Sequence, residues 1–110
     1  MFFDGILSHT VIKTARPGDF RVQSDWGGAV APCVPEPAAV EAATRILAAI
    51  GETLLYARID LVLDEAGRWV LLEAELIEPE LFLSQDPCGG AAFVDAVAAR
   101  LVMDGRIPVA

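Results

Sequence analysis

The chain has 110 residues, a net charge of −8, 55% hydrophobic residues and 22% charged residues. That length suits one domain with a single core, and that composition excludes a disordered chain. Sixteen acids against eight basic residues argue against a nucleic-acid partner bound through a basic surface. No apolar run approaches the ~20 residues of a membrane-spanning helix, so no membrane partner is expected. The first residues lack the basic and apolar regions of a secretory signal. Cys33 and Cys88 have no metal-ligand spacing, so they read as reduced thiols of a cytoplasmic protein.

Phe2-Phe3-Asp4-Gly5-Ile6-Leu7 is a hairpin signal, because Asp-Gly suits the two positive-φ positions of a type I′ turn. Its second strand is predicted from Ile6 to about Thr14, which makes the sole His9 a strand residue. Its first strand is only Phe2-Phe3, and so short an arm suggests a chain that starts partway through a longer domain. Phe20–Ser24 and Ala29–Cys33 read as further strands, separated by Trp26-Gly27-Gly28. Pro37 opens a helix that runs to Ile50 and stops at Gly51. Val40, Ala43, Leu47 and Ile50 recur on one face of it, widened by Ala39, Ala42 and Ile46.

Tyr56–Leu63 and Trp69–Leu76 read as two strands joined at Asp64-Glu65-Ala66-Gly67. Antiparallel pairing across that turn sets Leu63 near Val70 and Asp60 near Glu73. Side chains alternate along a strand, so Asp60, Glu73 and Glu75 share one face. On spacing alone a solvated acidic face is the simpler reading, and a hard-cation site is the alternative. Leu81-Phe82-Leu83 lies in a loop, Asp86 suits the cap of a last helix over about Gly90 to Met103, and Asp104–Ala110 reads as a tail. Phe93, Val97 and Leu101 form the apolar stripe of that helix. The expected class is α+β, a mostly antiparallel sheet with two packing helices in one unit over residues 1–103.

Two stretches carry a resemblance. Tyr-Ala-Arg-x-Asp-Leu-Val at 56–62, followed by Leu-x-Glu-x-Glu-Leu-Ile-Glu-Pro at 71–79, resembles the metal-binding end of ATP-grasp ligases. The similar branch includes prokaryotic glutathione synthetase, ribosomal-protein glutamate ligases and O-ureidoserine cyclo-ligases. Gly-Asp-Phe-Arg at 18–21 with Gly27-Gly28 resembles a second signature of the same superfamily. The resemblance implies the C-terminal half of an ATP-grasp fold, with Asp60, Glu73 and Glu75 holding Mg²⁺ or Mn²⁺ against the phosphates of ATP. Glu75 stands where many members carry Asn. It further implies Arg21 as a catalytic group, with Lys13, Arg21, Gly27 and Gly28 lining the nucleotide site. A guanidinium offers phosphate a planar fork of donors, whereas for one arginine alone an exposed ion pair with Asp19 or Asp25 is the simpler reading. For Lys13 a strand-end lysine, and for the glycine pair a plain turn, are the corresponding alternatives.

The activity implied is ATP-dependent carboxylate–amine ligation through an acylphosphate, with a small carboxylate substrate and an amine-type nucleophile. The family's ATP-binding half has no counterpart in these residues, so the chain is expected to be inactive alone and completed by that half in cis or in trans. Its absence also leaves apolar surface that favours self-association. The competing readings are a non-catalytic acidic α+β interaction module, or an unrelated acidic domain that binds Ca²⁺ or nothing.

Overall fold

The computed structural model describes residues 1–15, 17–18 and 28–108. Phe2–Phe3 (β1), Ile6–Leu7 (β2), Tyr56–Leu63 (β5) and Trp69–Glu75 (β6) form one antiparallel sheet in the order β2-β1-β5-β6. Val11–Thr14 (β3) and Ala29–Pro32 (β4) pair as a separate two-stranded ribbon. Helix α1 spans Pro37–Ile50 and helix α2 spans Ala91–Met103. The α+β expectation holds for the described residues.

The β1–β2 turn is the expected one, with φ of 48° at Asp4 and 75° at Gly5. The long second strand is not. It breaks at Ser8–Thr10, and the halves on either side enter different sheets. His9 is therefore a buried loop residue rather than a strand residue. Its Nδ1 lies 2.9 Å from the Ser8 hydroxyl, and its Nε2 lies 2.9 Å from the Leu81 carbonyl. That contact joins the bend, where the chain leaves the first sheet, to backbone 72 residues away.

Strand alternation splits the core into two layers across the sheet. Phe2 and Ala57 pack with Ala43 of α1, joined by Leu47, Ile59 and Leu61. Phe3 packs on the other face with Ala96 of α2, and its ring lies 5.2 Å from that of Phe93. Helix α1 stops where Gly51 takes φ 78°, and its amide donates to the Ala48 carbonyl. Asp86 does not cap α2 itself. Its carboxylate accepts from the Cys88 and Gly90 amides at 2.9 and 2.8 Å, which organises the turn entering the helix. The Cys88 amide, then that of Gly90, holds the Asp86 carboxyl below the usual carboxylate range against the opposing effect of burial.

The β5–β6 hairpin differs from expectation at its turn end. Asp60 pairs with Glu73 as predicted, but Leu63 pairs with Trp69 rather than Val70. A bulge at Leu72 absorbs the extra residue, so Leu71 and Trp69 take the positions opposite Leu61 and Leu63. The turn closes through the Asp64 amide to the Arg68 carbonyl at 2.9 Å, with the Asp64 carboxylate accepting from the Ala66 and Arg68 amides. Those donors, the Arg68 amide first and the Arg68 guanidinium next, keep the Asp64 carboxyl below its ordinary range.

Candidate functional site

The face of β5 and β6 shared by Asp60 and Glu73 carries a second cross-strand pair, Arg58 opposite Glu75. All four side chains project to one side of the sheet because each lies two residues from its strand neighbour. Only part of this face is solvated. The Asp60 side chain is 9% exposed and that of Glu75 28%, while that of Glu73 is 56% exposed.

Arg58 is the centre of the cluster, and its side chain is only 9% exposed. Its Nε donates to Asp60 Oδ1 at 3.1 Å, and its Nη2 donates to Glu75 Oε1 and lies 3.7 Å from Glu73 Oε2. Nη1 donates to the Glu80 carbonyl at 3.2 Å, and the guanidinium lies 5.7 Å from the centre of the Phe82 ring. One planar fork thus spreads over three carboxylates with its donors in fixed directions, which a rotatable ammonium lacks. Lys13 reaches from β3 to the remaining oxygen of Asp60, Oδ2. Asp60 is held from both sides by cations of the chain itself.

The loop after β6 completes the arrangement. Phe82 adopts φ 49°, and its amide donates to the Glu80 carboxylate at 2.9 Å. His9 ties the same loop to the β2–β3 connection through Leu81. Beside Asp60 opens a cleft of about 530 Å³, lined in part by Lys13, Ile59, Leu61, Trp69 and Leu72. That volume lies within the range of small-molecule sites. The Trp69 indole donates to Glu36 at 3.2 Å, just before α1.

The structure thus brings together Lys13, Asp60, Glu73 and Glu75 of the sequence-predicted residues. Gly28 lies just before β4, and Arg21 and Gly27 lie outside the described residues. Among the described residues no group of three or more His, Cys, Asp or Glu side chains is disposed to hold a metal ion. Arg58 is the site residue that the sequence reading passes over. The signal for it is its spacing: two residues before Asp60 on one strand, and in register with Glu75 on the next.

No protein-family model matches the chain, and comparison with curated protein sequences finds no significant match. Among solved structures, the crystal structure of D-cycloserine synthetase DcsG matches with a TM-score of 0.70 and 33% sequence identity, covering 91% of this chain. The chain corresponds to 36% of the length of that protein. Among the described residues no helix is long and apolar enough to cross a membrane. An antiparallel sheet with two helices, at this identity and coverage, gives the chain its place: its α+β fold matches half of an ATP-grasp domain.

Proposed function

We propose that this chain supplies the metal- and phosphate-facing wall of an ATP-dependent carboxylate–amine ligase. The observation that carries the reading is the pair of adjacent cross-strand couples, Asp60 with Glu73 and Arg58 with Glu75, on one face beside a cleft. Mg²⁺ takes oxygen ligands from a few carboxylates and from nucleotide phosphates, and these side chains offer that donor chemistry, although Arg58 and Lys13 hold the Asp60 and Glu75 oxygens in this structure. Asp60, Glu73 and Glu75 would hold the ion, which when bound neutralises phosphate charge and fixes phosphate geometry. In the reaction a substrate carboxylate attacks the γ-phosphorus of ATP, ADP leaves, and an acylphosphate forms on the substrate. An amine then displaces inorganic phosphate and loses a proton. Arg58 orients the three carboxylates. Lys13 and, from its sequence context, Arg21 offer positive charge to the phosphates. Cys33 and Cys88 are free, consistent with a location in the cytoplasm beside ATP.

A second reading rests on a different observation. β6 is an outer strand of its sheet and exposes Leu71 and Leu72, and Ile77 beyond it is 85% exposed. Such an edge suits association with another polypeptide without catalysis.

ADP release separates the two. The chain joined to the ATP-binding half of D-cycloserine synthetase should release ADP with Mg²⁺ and an amino-acid acceptor panel, and the chain alone should release none. Glu73→Gln should lower the rate of the joined protein by about 100-fold or more. A joined protein that assembles yet shows no Mg²⁺-dependent release would favour the association reading.

A further inference from the structure

We infer that His9 is a positioning residue: it latches the loop after β6 and thereby sets the orientation of the Arg58 guanidinium. The inference deepens the proposed site, since it concerns Arg58, but neither its geometry nor its test depends on ligation. Residues 76–82 form no helix or strand. Within them Glu78 and Phe82 adopt φ of 55° and 49°. Such torsions are unfavourable for side chains of this size, so the loop needs contacts from outside to keep its shape. Three consecutive residues receive them. The Glu80 carbonyl accepts from Arg58 Nη1 at 3.2 Å, and the Leu81 carbonyl accepts from His9 Nε2 at 2.9 Å. The Phe82 ring centre lies 5.7 Å from the Arg58 guanidinium. The His9 bond thus falls between the two contacts that Arg58 makes with the loop.

The surroundings of His9 favour one orientation and one tautomer. The residue is 5% exposed, and its ring centre lies 6.2 Å from that of Phe3. A carbonyl only accepts, so Nε2 carries the hydrogen that reaches Leu81. In the neutral ring Nδ1 then accepts from the Ser8 hydroxyl at 2.9 Å. Without the bond to Nε2, the Leu81 carbonyl is free to turn and Phe82 can relax out of its positive φ. Either motion carries the Glu80 carbonyl and the Phe82 ring away from Arg58. The guanidinium keeps its carboxylates and loses the two contacts that fix its plane from the loop side.

Nitrogen NMR of the Arg58 side chain tests this on the chain itself, with Arg58→Lys identifying the signal. Restricted rotation about Nε–Cζ keeps the Nη1 and Nη2 signals apart in the wild type. His9→Phe retains the ring and removes the bond, and it should speed that rotation by about 10-fold, the scale of one lost hydrogen bond. His9→Asn, too short to reach Leu81, should do the same. His9→Gln places an amide donor near the position of Nε2 and should restore the slow rotation. The rotation is read in the folded molecule, so a loss of overall stability alone does not move it. Slow rotation in a folded His9→Phe or His9→Asn, or fast rotation in His9→Gln, would overturn the latch. The ring nitrogen shifts of His9 in the wild type need no variant: Nε2 should be protonated, and an unprotonated Nε2 would overturn the latch as well.

Discussion

Replacing Arg58 with methionine is expected to destabilise the chain by about 3 kcal/mol, the scale for breaking one side of a buried ion pair. The loss is large because three acids then face one another with Lys13 as the remaining cation beside them. For a domain of this size that corresponds to a fall in melting temperature of roughly 10–20 °C. Glu73→Gln should behave differently, since Glu73 is the exposed member and its contact with Arg58 is 3.7 Å. Its effect belongs with surface pairs, at about 0–1 kcal/mol. Arg58→Lys should fall between the two, because it keeps the charge and loses the fork. Calorimetry of the three variants checks the ordering. Equal melting temperatures for Arg58→Met and Glu73→Gln would mean that Arg58 does not organise the cluster.

The second large effect is predicted at Phe3. Among the described residues the buried apolar set is small: Met1, Phe2, Phe3 and four alanines. Alanine contributes little volume, so the two phenylalanines carry most of the packing of their layers. Phe3 is 3% exposed and meets Phe93 of α2 at ring distance. Phe3→Ala should cost about 3–5 kcal/mol, the range for truncating a buried phenylalanine. Small domains have about 5–15 kcal/mol in all. The variant should therefore show a urea midpoint shifted far below that of the wild type. Val94→Ala on α2, a residue that is 63% exposed, serves as the control and should move the midpoint little. A shift at Phe3 no larger than at Val94 would contradict the assignment of the α2 layer.

Local chemistry made several features legible in the sequence. Pro37 and Gly51 bound α1 at the observed ends because each acts on its own backbone torsions. Asp4-Gly5 specifies its turn in the same way. The Asp60–Glu73 pairing was legible because strand alternation and turn position both point to it. What escaped depends on residues far apart in the chain. The break at Ser8–Thr10 is stabilised by His9 bonding Leu81, 72 residues away. The bulge at Leu72 lets one register serve both the acidic end and the closed Asp64–Arg68 turn, and no residue type announces it. Arg58 escaped because an arginine beside an aspartate has a ready local explanation, while its role depends on Glu75 across the strand. The same contacts change the view of the acids. The sequence offers a solvated acidic face as the simpler reading, whereas Arg58 and Lys13 pair with these acids.

The central claim is that Asp60, Glu73 and Glu75 form a divalent-cation site that faces nucleotide phosphate. Paramagnetic broadening by Mn²⁺ with a non-hydrolysable ATP analogue, read in the amide NMR spectrum, tests it most directly. Signals of residues 58–61 and 72–76 should broaden first, and those of the α1 face toward Ala48 and Gly51 should persist. Loss of this pattern in Asp60→Asn would confirm the acids as ligands. Broadening centred elsewhere, such as the exposed Asp64 turn, or a pattern unchanged in Asp60→Asn, would contradict the account.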